Sequence, residues 1–443
     1  MIETVAPPNK KIRSAFEWFV HSEVAGSIVL LACAVVALVW ANSPWRNLYE
    51  ELLHTYVGVG WGDSVFKLTL HHWINDGLMV VFFFVIGLEI KREMVVGELS
   101  SMQKAALPVA AALGGMVAPA MLYAAFNTGG EGAAGWGIPM ATDIAFALGV
   151  LAVFGTRAPL GLKVFLTALA IADDLGAVAV IAIFYTEKIS IGALIVAAIL
   201  LAVLFFVIRA GVTRLGILLL LIVGVWIAVF SSGLHATVAG IFVAMVIPVC
   251  PRIDISRFIA ESESFLEKIQ AHEIYPDSIV SDSRQLDAVG YVHNRAGEAL
   301  PPGLMLERYF HPVQVWLILP LFALANAGVH FDSHILEALT NPISLGIIAG
   351  LVLGKPLGVT LLSWLVVKFG KVGLPAGVTW MQVFGAGCLA GIGFTMSLFI
   401  ADLAWNDEAL IANAKIGILA ASLLSGILGF VVLSRALPKA AKD

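Results

Sequence analysis

Long apolar runs constrain this chain more than any other feature. Twelve segments are apolar and long enough to cross a membrane as helices, which takes roughly 20 residues. The composition agrees, because 60% of the residues are hydrophobic and only 13% are charged, against about 25% charged in a soluble domain. We predict an all-α polytopic membrane protein, with residues 1–443 forming one membrane domain. The predicted spans are about 24–41, 71–90, 105–126, 135–155, 159–186, 190–210, 214–230, 233–249, 312–329, 343–367, 380–404 and 410–434.

The basic residues predict how the spans are oriented. With the N-terminus in the cytoplasm, 21 of the 26 Lys and Arg residues fall on the cytoplasmic side. Only Arg46, Lys67 and Lys188 fall outside, and Lys355 and Lys415 fall within spans. Because cytoplasmic loops carry an excess of Lys and Arg, we predict that both termini are cytoplasmic.

Two polar segments interrupt the apolar pattern. Residues 42–69 are rich in β-formers around a Gly-Asp turn, so this outer segment is either a β-hairpin or an ordinary irregular loop. Residues 251–306 form the one long cytoplasmic loop, whose mixed charge predicts a solvated helix and a disordered remainder rather than a second domain.

Four ionisable residues lie near the middle of predicted spans: Asp143, Asp173, Asp174 and Lys355. Such residues are costly in a bilayer and mark functional sites by default. The alternative is an ion pair that only holds helices together, but one Asp–Lys pair would leave two acids unexplained. Adjacent helical residues point about 100° apart. We therefore expect one of Asp173 and Asp174 to line a water-filled cavity and the other to face Lys355.

Two of the spans carry breaks in their apolar pattern. "GIPMATDIAF" places Pro139 just before Thr142 and Asp143 in the fourth span, and "GAGCLAGIGFTMS" places four glycines in the eleventh. Both predict broken helices, which are tolerated only where they line a cavity or are buried in protein. Each is the middle of a triplet, spans 3–5 and 10–12, and the two must run in opposite directions. Interrupted segments at matching positions of inverted repeats indicate a secondary-transporter ion site.

Glycines recur every fourth residue in the tenth span and predict one small-residue stripe for close helix packing: Gly346, Gly350, Gly354 and Gly358. The sequence has no phosphate-binding glycine loop, zinc-ligand spacing or large soluble domain. This argues against an ATP-driven pump.

Several stretches together resemble the NhaA family of sodium/proton antiporters: "WINDGLMVVFFFVIGLEIKRE", "ATDIAFALGVL", "LAIADDLGA", "SGLHATVAG", "LILPLFALANAGV", "GKPLG" and "GIGFTMS". The resemblance implies an inner-membrane antiporter, not an enzyme, that exports Na⁺ and Li⁺ in exchange for inward protons. It implies pH-regulated exchange for sodium and pH homeostasis, with no cofactor and no nucleic acid. Because two acids can reload with protons against one sodium ion, we expect the exchange to be electrogenic. The expected partners are Na⁺, H⁺, membrane lipid and a second copy, held partly through residues 42–69.

The resemblance also assigns roles in the ion site. Asp173 and Asp174 would be the essential pair that holds Na⁺, with Asp174 the stronger candidate for the cation and proton site. Asp143 and Thr142 would lie where the broken helices cross. Lys355 would offset the opposed helix ends and pair with Asp173.

More peripheral roles follow from the same resemblance. Asp76 would lie near the periplasmic funnel. The residues linked to the pH response would be Glu89, Lys91, Glu93, His235, Glu307 and His311. The alternatives are surface salt bridges at a helix end for the charged residues and, for His235, a histidine whose hydrogen bonds are satisfied at a span end.

Asp402 and Lys415 lie near span ends, where snorkelling is expected. The loop 251–306 is longer than in the best-known family members, which puts the pH response in most doubt.

Two other functions stay open. A proton-coupled solute symporter would need a specific organic substrate. An intramembrane aspartyl protease also needs two membrane-embedded acids, but its usual Gly-x-Gly-Asp setting is absent, and Lys355 disfavours a shared-proton pair.

Overall fold

The computed structural model describes residues 23–438 except 62–63, 187–188, 211–213, 252, 271–289, 293–294, 297–298, 332–334 and 371. Much of the predicted loop 251–306 therefore lies outside the described residues. The helices used below are α1 Glu23–Ala41, α2 Arg46–His54, α3 Leu70–Val95, α4 Met102–Phe126, the 3₁₀ helix Glu131–Met140, α5 Ile144–Ala152, α6 Leu160–Phe184, α7 Ile191–Arg209, α8 Leu215–Ser231, α9 Val238–Val246, α10 Ile255–Gln270, α11 Pro302–Asn326, α12 Ile335–Thr340, α13 Pro342–Phe369, α14 Trp380–Ala390, α15 Phe394–Ala404 and α16 Glu408–Ala436.

The protein is an all-α polytopic membrane protein. Among the described residues, eight helices are long and apolar enough to cross a membrane. Two broken pairs bring the number to ten: the 3₁₀ helix with α5, bent by 41°, and α14 with α15, bent by 46°. Every predicted span contains a helix, but α9, with nine residues, is shorter than the span predicted at 233–249.

Local backbone chemistry separates α8 from α9 and shortens α9. Gly233, with a φ of +85°, follows the end of α8, a left-handed conformation that glycine adopts without a Cβ penalty. At the other end, Ile247 is extended with ψ of 128°, because the residue before a proline is disfavoured in the α region, and Pro248 follows. α9 is therefore only nine residues long, and the count of twelve spans stays a prediction.

A hairpin occupies part of the segment 42–69. Strands β1 Tyr56–Trp61 and β2 Ser64–Thr69 pair antiparallel, with Tyr56 opposite Thr69. At the base of the hairpin, the Leu70 amide donates to the Thr55 carbonyl over 2.9 Å, so the chain enters and leaves the hairpin at nearly the same point. Its position outside the membrane stays a prediction.

The helices pack in two groups. In the first, which we call the core group, α4 packs against α6 and α13, and α14 packs against α13 and α16. The 3₁₀ helix, α5 and α15 complete it. In the second, the flanking group, α3 packs on α9 and α11, α7 on α8, and α1 on α11. A separate small hydrophobic cluster joins α3, α7, α8 and α9.

The predicted glycine stripe is confirmed, and its partner is α4. A Cβ on Gly358 would collide with the Gly114 carbonyl oxygen, and one on Gly354 would lie 2.8 Å from the Pro119 Cα atom. A Cβ on Gly346 would instead meet two side chains, at 2.6 Å from Asn127 Nδ2 and 2.9 Å from Tyr123 Cδ2. Because these glycines let the two backbones touch, α13 brings Lys355 against the centre of α4.

Candidate ion-binding site

The two helix breaks contact each other through their backbones. After the 3₁₀ helix ends at Met140, Ala141 is extended, and the Asp143 amide donates to the Ile392 carbonyl over 2.6 Å. The Thr142 hydroxyl lies 2.9 Å from the Ala390 carbonyl oxygen. The unwound segments thus satisfy each other's backbone groups inside the protein, as a break at membrane depth requires.

Asp143 joins the N-terminal ends of α5 and α15. Its Oδ1 accepts from the Phe146 amide at 3.1 Å, which makes it the N-cap of α5. Its Oδ2 accepts from the Thr395 amide at 3.0 Å and from the Thr395 hydroxyl at 2.6 Å. Helix N-termini carry partial positive charge, so one buried carboxylate stabilises both. The expectation that Asp143 and Thr142 lie at the crossing agrees with these contacts.

Asp173, on α6, is paired with Lys355, on α13. The Lys355 ammonium lies 2.7 Å from Asp173 Oδ2, and both side chains are fully buried. Lys355 also donates to the Met140 carbonyl, which is the C-terminal end of the 3₁₀ helix and so carries partial negative charge. The Thr142 hydroxyl lies 2.7 Å from the same Asp173 oxygen. A carboxylate held in this way by an ammonium group does not form the shared-proton acid pair of an aspartyl protease.

Asp174 lacks any such partner. It is 1% exposed, and neither of its carboxylate oxygens has a hydrogen-bond partner among the described residues; the same is true of Asp173 Oδ1. Burying a carboxylate without a partner is costly. Two buried carboxylates therefore leave three oxygens for a proton or a cation, and oxygen is the ligand that hard cations require.

The described residues contain no cluster of three or more His, Cys, Asp or Glu side chains suited to a metal ion. A sodium ion at Asp174 would therefore need backbone, hydroxyl or water oxygens in addition to the two carboxylates. The contact between the two helix breaks supplies backbone and hydroxyl groups of this kind nearby.

The residues predicted to respond to pH do not all lie together: some form a cluster around Arg92, and others lie elsewhere. Arg92, which the sequence analysis did not single out, lies 3.1 Å from Glu307 and 3.3 Å from Glu93. Glu89 interacts electrostatically with these groups and with Asp174. His311 lies one helical turn after Glu307 on α11.

Lys91 and His235 lie apart from this cluster. The Lys91 ammonium donates to the carbonyls of Met245 and Ile247, at 2.6 and 2.5 Å, and so closes the C-terminal end of α9. The His235 Nε2 atom lies 2.7 Å from the Tyr185 carbonyl oxygen. Asp76 interacts electrostatically with His72 and His235, not with the central acids.

The structure adds residues that the sequence analysis missed. Thr395 supplies two of the three hydrogen bonds to Asp143, and its signal was present, since it follows Gly391 and Gly393 at the second break. The snorkelling interpretation of Asp402 and Lys415 is wrong. Their charged atoms lie 3.4 Å apart, and both side chains are almost 90% buried, so they pair with each other within the protein.

Comparison with known proteins identifies the family. A sequence profile described as Na+/H+ antiporter 1 matches residues 17–433. The Na(+)/H(+) antiporter NhaA 2 of Syntrophotalea carbinolica is 45% identical over 426 residues, covering 96% of this chain and 97% of that protein. The NhaA antiporters of Acidithiobacillus ferrooxidans and Koribacter versatilis are 47% and 45% identical, covering 95% and 97% of this chain and 97% and 93% of those proteins.

A match that covers 96% of this chain and 97% of the relative joins two proteins of similar overall length. The length of the match, its identity and the family profile agree. The chain belongs to the NhaA family of Na⁺/H⁺ antiporters, transporters that are not enzymes and need no cofactor.

Proposed function

We propose that Asp174 is the group that alternately holds Na⁺ or Li⁺ and a proton, while Asp173 is held by Lys355 until the cation arrives. The observation that carries this proposal is the buried carboxylate of Asp174, which has no hydrogen-bond partner among the described residues, beside Asp173, whose Oδ2 is paired with Lys355. An ionised carboxylate attracts a cation, and a protonated one does not. Because one carboxyl group cannot serve both ions at once, binding of one requires release of the other.

The remaining charged residues of the site balance the partial charges of the helix ends and hold the breaks in place. Asp143 neutralises the two helix N-termini, and Lys355 neutralises the Met140 end of the 3₁₀ helix. Cation binding to Asp173 Oδ1 would weaken the Lys355 contact, because the carboxylate would then share its charge between two cations. Rocking of the core group against the flanking group would expose the site to each side in turn, as in other transporters with broken helices.

We propose that the exchange is electrogenic: two protons would enter for each sodium ion that leaves, one on Asp174 and one on the Asp173–Lys355 pair, so that each cycle moves one net charge. In potassium-loaded vesicles, valinomycin removes any potential that the transporter builds up. Sodium-driven proton movement should therefore be faster with valinomycin than without it. Equal rates under both conditions would show electroneutral exchange.

The pH response is proposed to reside in the cluster of Glu89, Glu93 and Glu307 around Arg92, with His311 adjacent and His235 near Asp76. Three acids around one guanidinium group give a network whose charge changes with proton concentration, and Glu89 acts electrostatically on Asp174. Lys91 is assigned a structural role at the end of α9.

The membrane arrangement is proposed to be twelve spans in the inner membrane, with both termini cytoplasmic and spans 3–5 and 10–12 as inverted repeats. In support, the two broken pairs and the contact between their breaks involve the fourth and eleventh predicted spans. The asymmetric distribution of basic residues supports the orientation. Asp76 would line the outer funnel, and a homodimer surrounded by lipid is the expected assembly.

The test uses purified protein in liposomes with an imposed pH gradient. Wild-type protein should dissipate the gradient when Na⁺ is added, and Asp174→Asn should not, because the amide neither titrates nor carries charge. The matched control is Asp254→Asn, an exposed carboxylate whose side chain caps Ser256 and whose amide can still do so. Exchange by a correctly folded Asp174→Asn protein would contradict the assignment.

A further inference from the structure

A second buried polar cluster lies where the hairpin end of α3 meets α11, α15 and α16. It consists of His71, Asn75, Asn326, Asp402 and Lys415. Asn326 is fully buried and Asn75 is 8% exposed. A π-helical turn, Trp73–Leu78, carries Asn75, and such turns are frequent at functional sites.

Each side of this cluster is satisfied within its own helix group. In the flanking group, the Asn326 amide donates to Asn75 Oδ1 at 2.8 Å and to the Phe322 carbonyl at 3.0 Å. The His71 Nε2 atom lies 3.0 Å from Asn326 Oδ1. In the core group, Asp402 is paired with Lys415.

Two polar contacts within the cluster join the flanking group to the core group, and both are made to the same atom, Asp402 Oδ2. The Asn75 amide donates to Asp402 Oδ2 at 3.2 Å, and His71 Nε2 lies 3.9 Å from the same oxygen. Both contacts with Asp402 can be broken with little loss of free energy. Asn75 keeps the Asn326 oxygen at 3.3 Å, and Asp402 keeps Lys415, so separation leaves no buried charge without a partner. Breaking a buried polar contact is costly when it leaves such an orphan.

We propose that the contact of Asn75 and His71 with Asp402 is a latch that closes the ion path at the hairpin end of the protein. It must open when the core group rocks away from the flanking group to expose Asp174 on that side. The inference rests on the alternating-access mechanism proposed above. It makes Asp402 a positioning residue for transport, one that does not touch the transported ion.

Reversible cross-linking tests the latch. In a variant free of Cys33, Cys250 and Cys388, Asn75→Cys is combined with Asp402→Cys, and a short bis-methanethiosulfonate joins the two thiols across the groups. The matched control combines Asp402→Cys with Lys415→Cys, a link within the core group. A third protein, His71→Cys with Asp402→Cys, repeats the link across the groups without changing Asn75. Sodium-driven exchange is measured in vesicles before cross-linking, after it and after reduction.

The cross-group links should abolish most of the exchange, and reduction should restore it, whereas the control link should leave the rate of its own reduced form nearly unchanged. Unchanged exchange in the cross-linked Asn75/Asp402 and His71/Asp402 proteins would overturn the proposal. So would an equal loss in the control, or failure of both cross-group pairs to link. Exchange by the reduced proteins tests the proposed ion site separately. If the latch proposal is wrong but the ion site is correct, the reduced proteins still exchange and the cross-group links do not stop them.

Discussion

Asp173 and Asp174 are adjacent in α6 but have opposite surroundings. Asp173 Oδ2 receives Lys355 and Thr142, whereas neither oxygen of Asp174 has a partner among the described residues. The rotation of about 100° between neighbouring helical residues makes this difference possible. It follows that the two acids should respond differently to loss of charge.

Asp173→Asn should destabilise the protein more than Asp174→Asn. It leaves the fully buried Lys355 without its counter-charge, a loss of about 3–5 kcal/mol for a broken buried pair. Adding Lys355→Gln to Asp173→Asn should recover most of this stability, since two amides can hydrogen-bond to each other. The measurement is the midpoint of thermal unfolding in detergent, with Lys355→Gln alone as the control. Rescue of Asp174→Asn by Lys355→Gln, and not of Asp173→Asn, would show that the two acids are assigned the wrong way round.

Thr395→Val should weaken the contact between the two breaks. It removes the hydroxyl donor to Asp143 Oδ2 but keeps the backbone donor, and a hydrogen bond to a charged group contributes about 1.5–3 kcal/mol. Both the unfolding midpoint and the exchange rate should fall. Thr395→Ser retains the hydroxyl and should behave like the wild type; equal defects in both variants would mean that the methyl group, not the hydroxyl, matters.

The sequence could predict the charged residues of the site but not all of its neutral ones. A charge at the centre of an apolar run is conspicuous because the bilayer makes it costly, so Asp143, Asp173, Asp174 and Lys355 could be recognised. Thr395 could be noticed only because it follows the glycines of the second break, and this position indicates no partner. Its contact with Asp143 joins positions more than 250 residues apart, and local sequence patterns carry no information about such pairings.

At the scale of elements, α4 and α13 hold the site together through glycine contacts. Close backbone approach of this kind stabilises helix pairs in membranes, where apolar side chains gain little by leaving lipid. The Lys355 side chain runs past Gly115: a Cβ atom added to this glycine would lie 3.5 Å from Lys355 Cε. The glycines of this interface therefore also leave the space through which Lys355 reaches the two breaks.

Gly358→Ala should separate α4 from α13. The added methyl group would meet the Gly114 carbonyl, which belongs to a backbone and cannot rotate away. Overpacking typically costs about 1–3 kcal/mol, so the unfolding midpoint should fall and Lys355 should be displaced from Asp173. The matched control is Gly192→Ala on α7, where no described atom beyond the local helix backbone lies within 4 Å of the new Cβ. Equal behaviour of the two variants would contradict the close approach.

Hydropathy predicted where the helices lie because lipid exposure requires both apolar side chains and internally bonded backbone. It did not predict helix lengths. α9 is cut short by the turn at Gly233 and by Pro248, whose effects are local and compete with an apolar run that continues past both. Hydropathy likewise gives no sign of the π-helical turn Gly350–Gly354 just before Lys355; Pro356 follows it and has no amide to donate to the Val352 carbonyl.

At the scale of the whole molecule, no further strand among the described residues pairs with the hairpin to extend its sheet. It is a sheet of two strands, and isolated two-stranded hairpins are only marginally stable in water. Its edges offer unpaired backbone groups, and Tyr56 and Val57 are exposed. A second copy could satisfy both features by pairing its own hairpin at an edge, which is the arrangement that we expect in a homodimer.

Removing residues 56–69 should therefore convert dimers to monomers and leave exchange intact. The Leu70 amide already bonds to the Thr55 carbonyl, so a short Gly-Ser connection can close the gap without moving α3. Assembly is measured by light scattering in detergent, and exchange is measured in vesicles. The ion site lies on α6, α13 and the two breaks, none of which this deletion alters, so a monomer that still exchanges is the expected product. A deletion protein that stays dimeric would place the contact between copies elsewhere on the membrane helices.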